Sequence, residues 1–226
     1  MLIQMLSTEI LHPAVQASSE ARGREGERLR STQLYYAASA LDYAELTARI
    51  DTSERIDAFV ALLPHAARVL DAGCGAGRDL AQFRSRGLTA VGLDLSPELA
   101  ELARQRSGCE VIVGDLAAPP ALGSFDGIWA MASLLHIDRS RIGAALEGLR
   151  AMLNPGGVLF SSVKRGRGDV CDETGRWFTL YDEEAWAEQM TQAGFDILEI
   201  NGEPPVSGAS TGTVAPGWIS CMARLS

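Results

Sequence analysis

Between residues 53 and 226 the spacing of apolar positions switches repeatedly between a helical period and short extended runs. Ile56, Phe59, Val60 and Leu63 recur at helical spacing, with Ser53 placed as a cap and Pro64 as a stop. Arg68-Val69-Leu70-Asp71 then reads as a short buried strand. Leu80 and Phe83 mark a helix closed by Gly87, and Leu88 to Leu93 a second strand. Ser96-Pro97-Glu98 combines a cap, a proline at the first helical position and an acid in the first turn. That helix carries Leu99, Leu102 and Ala103 and ends at Gly108. Val111-Ile112-Val113 and Phe125 to Met131 are the third and fourth strands. Ile142, Ala145, Leu146, Leu149 and Leu153 predict a long amphipathic helix, left through a turn at Asn154-Pro155-Gly156-Gly157. Val158 to Val163 is a fifth strand. Trp186 and Met190 sit on a helix closed by Gly194, ahead of a strand from Phe195 to Ile200. A Gly/Pro/Ser-rich loop, Asn201 to Gly217, leads to a last strand, Trp218 to Ala223.

Strand–helix–strand alternation of this kind predicts an α/β, doubly wound sheet, mostly parallel, with helices on both faces. The last strand follows its predecessor without a helix, so it is expected antiparallel, at or near an edge. Ligands of such sheets bind at the carboxyl ends of the strands, where the strand order reverses. Residues 31–226 are expected to form this single domain. Residues 1–15 are mildly apolar and 18–30 polar and charge-dense, so 1–30 reads as a flexible N-terminal extension; a helix docked on the domain is the other reading.

Charge and cysteine usage narrow the partners. The net charge is −9, from 20 basic and 29 acidic residues, which disfavours a nucleic-acid partner. No apolar run approaches the ~20 residues that span a bilayer, and the start lacks the basic residues of a secretory signal. Cys74, Cys109, Cys171 and Cys221 have neither metal-ligand spacing nor the look of a disulfide framework, so no metal and a cytoplasmic location are expected.

The most informative stretch is Asp71-Ala72-Gly73-Cys74-Gly75-Ala76-Gly77-Arg78, between the first strand and a helix. Glycines there let the backbone turn tightly and approach a ligand. Their spacing departs from the G-x-G-x-x-G of dinucleotide sites, and the acid in front suits a cationic ligand. Asp94 ends the second strand, where a carboxylate accepts both hydroxyls of a ribose. Asp115 follows the third, where one accepts from an adenine amino group while the next backbone N–H reaches the ring. Each acid alone also reads as an ordinary turn residue.

This set resembles the class I S-adenosylmethionine (SAM) dependent methyltransferases. The resemblance implies a Rossmann-like sheet, SAM as cofactor and S-adenosylhomocysteine (SAH) as product. It places Gly73, Gly75 and Gly77 against the methionine part, Asp94 with Leu95 at the ribose, Asp115 with Leu116 at the adenine, and Asp71 near the amino end. A closer resemblance, over most of residues 35–226, is to small bacterial methyltransferases of mostly unassigned substrate. It rests on Tyr36, Ala40, Tyr43 and Thr47, on Gly77-Arg78-Asp79, on Phe125 to Ala130 and Ala132 to His136, on Lys164, Gly166 and Gly168, and on Gly175 to Thr179 with Trp218. Asp169 and Ala38 depart from that pattern.

The remaining candidates concern the acceptor. His136 is read as a base beside the sulfonium, or as a packed histidine. Lys164 and Arg176 are read as ligands of an anionic group on the acceptor, with Phe178 lining its pocket, or as solvated loop charges. Tyr36 is read as part of a lid over the cofactor and Arg49 as a partner of the methionyl carboxylate; packing of an N-terminal helix is the alternative. The expected function is methyl transfer to a small-molecule acceptor by in-line displacement, in a monomer or homodimer. A non-catalytic SAM-binding sensor or complex subunit is the runner-up, and a nucleotide-dependent oxidoreductase the third reading.

Overall fold

Successive residues of the central strands are apolar on both sides, so a sheet built from them must be covered twice. In the computed structural model, which describes residues 13–204, 206–207, 214–215 and 217–226, this is the arrangement. Strands β1 (Arg68–Ala72), β2 (Thr89–Asp94), β3 (Glu110–Val113), β4 (Phe125–Met131) and β5 (Leu153–Lys164) run parallel to one another. After β6 (Asp169–Cys171), β7 (Trp177–Thr179), β8 (Phe195–Gly202), β9 (Val206–Ser207) and β10 (Val214–Ala215) comes β11 (Trp218–Leu225). The main sheet has seven strands in the order β3-β2-β1-β4-β5-β11-β8. β11 is antiparallel to both neighbours and lies one place from the edge, as its loop connection requires.

Helices α3 (Ser53–Val60), α4 (Arg78–Ser85) and α5 (Pro97–Ser107) cover one face, and α6 (Ile142–Arg150) and α7 (Glu183–Gln192) the other. The division follows the pleat. Val69, Trp129 and Val158 pack with Phe59, Phe83 and Ala103, whereas their chain neighbours Leu70, Ile128 and Leu159 pack with Leu146, Leu149 and Trp186. Trp129 stacks on Phe160 with ring centroids 3.9 Å apart and meets Phe59 and Phe83 by its edges. Its indole N–H donates to Asp79, at 2.9 Å, which also accepts from Thr52 and Arg78. One buried carboxylate thereby ties α3, α4 and β4 together. Ser96 caps α5 by accepting from the Leu99 N–H, and Gly108 ends it with φ of 64°.

Four expectations change. Leu153 belongs to no helix: α6 ends at Arg150, and Leu153 opens β5 by pairing with Phe125. The next rung pairs Gly127 with Val158, so residues 154–157 bulge opposite Asp126 and form part of the strand rather than a turn before it. The stretch after β5 contains a hairpin, β6 with β7, where only a loop was expected. The extension assigned to residues 1–30 is helical from Pro13, in α1 (Pro13–Ala38), and α2 (Ala40–Thr47) follows it. Its described side chains engage the domain. Arg28 pairs with Asp138 at 2.8 Å and Asp169 at 2.9 Å and lies over the Trp177 ring, and Glu25 pairs with Arg141. A charge-dense segment reads as solvated until its partners, more than 100 residues away, are brought to it. Residues 1–12 lie outside the described residues. Among the described residues no helix is long and apolar enough to cross a membrane.

Candidate active site

The chain runs outward from β1 to β3 and returns to β4, so the carboxyl ends of β1 and β4 part and leave a crevice. It holds two adjoining cavities. Asp94, Leu95, Asp115 and Leu116 line the first, beneath Thr32 and Tyr36 of α1. Asp71, Arg78, Lys164, Arg176, Phe178 and Trp218 line the second. Tyr36, Tyr43, Gly73, Gly75, Ala132 and His136 face both and form the junction.

In the first cavity the acids are held by backbone. Asp94 accepts from the Gly75 N–H at 2.8 Å and the Ser96 N–H at 2.9 Å, one on each oxygen. Burial pushes its pKa up and these N–H groups pull it back. Each oxygen keeps a lone pair for a ligand hydroxyl. Asp115 accepts from the Ala117 N–H at 2.8 Å, and Arg141 stands 3.8 Å from its other oxygen, linking it to Glu25 of α1. Asp71, which lines the second cavity, is buried, and one of its oxygens has no hydrogen-bond partner among the described residues. Burial, and then the Asp79 carboxylate, hold its pKa well above the usual range. A buried carboxylate oxygen without a partner is costly unless a cation meets it. The ammonium of an amino-acid moiety supplies that charge, so this donor set fits SAM.

His136 is oriented from both ring nitrogens. Its Nδ1 lies 2.7 Å from the Trp177 carbonyl oxygen, which only accepts, so Nδ1 carries the proton. Nε2 is therefore the acceptor for the Tyr36 hydroxyl at 2.9 Å. Burial, followed by the cations Arg176 and Lys164 and opposed by the Trp177 bond, lowers its pKa to about 4. Between pH about 4 and 6.5 the unfolded chain thus binds a proton that the folded chain does not, and stability falls as pH is lowered through that window. From pH 7 to 4.5, wild type is expected to lose about 2 kcal/mol more than His136→Gln, measured by denaturant melts. Equal losses would show that His136 is charged or accessible when folded.

In the second cavity the cations differ in availability. Arg176 is paired with Asp172 at 2.7 Å and lies over the Tyr35 ring. Arg78 is paired with Asp79 at 2.7 Å. Lys164, the only lysine of the chain, has no carboxylate partner among the described residues; its Nζ lies 3.8 Å from the centre of the Phe178 ring. Burial, then Arg176, lowers its pKa.

Two expected site residues stand elsewhere. Arg49 is exposed in the turn after α2 and lines neither cavity. The cation facing the second cavity from this side is Arg78, which the helix start directs inward; its place in Gly77-Arg78-Asp79 was the available signal. Gly77 also lines neither cavity and packs on α5 instead. Cys74 is a buried thiol whose pKa burial raises, in keeping with a small filler. The Tyr36–His136 bond joins residues 100 apart and has no local signature.

Residues 69–157 match the family described as "Methyltransferase domain". The chain is 41% identical over 88 residues to the magnesium-protoporphyrin O-methyltransferase of Rhodobacter capsulatus, covering 36% of this chain and 39% of that one. It is 39% identical over 110 residues to the ubiquinone biosynthesis O-methyltransferase of Xanthomonas axonopodis pv. citri, covering 45% of each. The chain thus spans under half the length of these relatives. In fold it is similar to the Burkholderia thailandensis 1,6-didemethyltoxoflavin-N1-methyltransferase, solved with 1,6-didemethyltoxoflavin and SAH. The TM-score is 0.62 and the identity 21%, covering 100% of this chain and 98% of that one.

Proposed function

We propose that the chain, whose residues 69–157 match a methyltransferase domain, is a class I SAM-dependent enzyme that transfers a methyl group from SAM to a small-molecule acceptor bearing an anionic group. The observation that carries this reading is the pair of cavities meeting at Tyr36, Gly73, Gly75 and His136, one fitted to a nucleoside and one cationic. SAM, when bound, supplies an electrophilic methyl carbon that carries its own positive charge. The chain's part is to hold the nucleoside by Asp94 and Asp115, meet the ammonium with Asp71, and seat the acceptor so that its nucleophile faces the junction in line. Placement of that kind supplies much of the barrier reduction without a metal.

The acceptor's anion is seated by Lys164, whose ammonium lacks a carboxylate partner among the described residues, with Arg176 beside it. Phe178 and Trp218 provide flat apolar walls. Thermal shift and calorimetry with SAM, SAH and NAD test the cofactor half. A ligand at 100 times its Kd adds about 2.7 kcal/mol of stability, expected for SAM and SAH and not for NAD. A panel of hydroxyaromatic carboxylates and their methyl esters tests the acceptor half. Lys164→Met is expected to raise KM for the carboxylates roughly 10- to 100-fold, the worth of one charge-assisted hydrogen bond, and to leave the esters unchanged. Equal effects on both would remove the anion seat. Binding of SAM without turnover of any acceptor would favour a sensor.

A further inference from the structure

We propose that Tyr36 takes the proton of the acceptor's hydroxyl and hands its own to His136, so that the chain methylates an oxygen that arrives un-ionised. This rests on the methyl-transfer reading above. Both residues face the cofactor cavity and the acceptor cavity, so they stand where the two reactants must meet. The direction of the relay is fixed by the far end. The Trp177 carbonyl holds the proton on Nδ1, and the lone pair on Nε2 points at the Tyr36 hydroxyl, 2.9 Å away. His136 is therefore already an unprotonated acceptor, and Tyr36 is the group between it and the cavity.

The rings around the pair keep it aligned. Tyr35 and Tyr43 meet Tyr36 edge-on at 5.2 and 5.1 Å, and Phe178 flanks His136 at 5.0 Å. The charged groups facing the pair are Arg176, Lys164 and Asp172 at the acceptor end and Asp94 at the cofactor end. Burial holds the Tyr36 phenol un-ionised at rest, so it acts by passing a proton on, not as a standing phenolate.

The step balances. The acceptor oxygen forms its bond to the methyl carbon as the carbon–sulfur bond breaks, and the electron pair of that bond stays on sulfur. The hydroxyl proton moves to the Tyr36 oxygen, and the Tyr36 proton moves to Nε2, leaving a methyl ether, neutral SAH and an imidazolium bonded to the Trp177 carbonyl. One positive charge is lost at sulfur as one appears on His136, so the net charge of the junction is unchanged. An anionic group seated at Lys164 and Arg176 further offsets the two cations that otherwise disfavour the imidazolium. After product release the proton leaves by Tyr36 to water.

The test compares Tyr36→Phe with wild type on 4-hydroxybenzoate and on its 3,5-dinitro derivative, whose hydroxyl is already ionised at neutral pH. Base catalysis is worth about 100-fold or more. The variant is expected to lose about 100-fold in kcat on the first probe, with KM little changed, and under about 3-fold on the second. Equal losses on both would overturn the relay in favour of a packing role. A second measurement is independent of turnover: the imidazole 15N resonances of His136, one of three histidines, assigned with His136→Gln. The relay requires a proton on Nδ1, and an Nε2 resonance that moves in Tyr36→Phe. A proton on Nε2, or a resonance that stays put, overturns it even if neither probe is methylated. Calorimetry separates the two levels: a wild type that binds SAH while Tyr36→Phe shows no selective loss overturns the relay alone, whereas a wild type that binds neither SAM nor SAH sinks the methyl-transfer reading itself.

Discussion

Asp94→Ala is expected to weaken SAM and SAH binding about 1000-fold. The carboxylate faces the first cavity from the tip of β2 and accepts the Gly75 and Ser96 N–H groups, leaving one lone pair on each oxygen. A hydrogen bond to a charged group is worth about 1.5–3 kcal/mol. Loss of two such bonds to a ribose removes about 4 kcal/mol, and each 1.4 kcal/mol is tenfold in Kd. The apo protein responds in two opposing ways. Gly75 and Ser96 lose the partner that shapes the loop and the start of α5, while removal of a buried carboxylate relieves its desolvation. The folding stability is therefore expected to change far less than the affinity. Titration calorimetry of the variant against wild type checks this, with a denaturant melt alongside. An affinity within tenfold of wild type would show that the nucleoside does not lie at this strand tip.

Gly77→Ala is expected to destabilise the fold by about 3 kcal/mol. Gly77 has φ of 77° and stands at the start of α4, and a Cβ there would fall 2.7 Å from the Ala103 Cα and 2.9 Å from its carbonyl oxygen. The left-handed conformation alone costs about 1–2 kcal/mol for a residue with a Cβ. The clash is with the backbone of α5, which cannot rotate aside, so the glycine loop or the helix must shift. Overpacking of that kind adds about 1–3 kcal/mol, for a total near 3 kcal/mol. Gly87 supplies the control. It has φ of 79° but open space where a Cβ would go, so Gly87→Ala is expected to cost only about 1 kcal/mol. Matched denaturant melts of the two variants separate strain from crowding, and equal losses would disprove the close approach of α4 to α5. Cofactor binding should also fail in Gly77→Ala, through the loop, although the residue lines neither cavity.

The two predictions draw on features of different legibility. Asp71, Asp94 and Asp115 could be placed at strand ends from short-range patterns alone, because each follows an apolar run and stands within two residues of a glycine or a cap. The cap of α5 was equally readable, since Ser96, Pro97 and Gly108 act within one turn of where they stand. The role of Gly77 was not. A glycine in a loop announces conformational freedom, but whether that freedom serves a ligand or a neighbouring helix depends on what lies beside it. Leu153 continued a helical period beyond Arg150 because periodicity cannot register that β4 offers a pairing partner at Phe125. The hairpin of β6 and β7 was hidden for a similar reason: three-residue strands carry too little alternation to be seen, and their pairing is settled by contact.

The acceptor side shows the same division. Lys164, Arg176, Phe178 and His136 were all identifiable as candidates by position after a strand. Their states were not. Arg176 is committed to Asp172, Lys164 has no such partner among the described residues, and His136 is fixed as a neutral acceptor by a carbonyl 41 residues away and a phenol 100 residues away. Arg49 and Arg78 are alike as residues, yet only the second turns into the crevice. What the chain's own order of residues determined is the sheet, its helical cover and the acids at three strand tips, since these follow from local period and local capping. What only tertiary structure decided is which charges remain unpaired, which proton sits on which nitrogen, and that α1 lies over the first cavity. Those are properties of pairs distant in sequence, and their energies exist only once the chain has brought both members together.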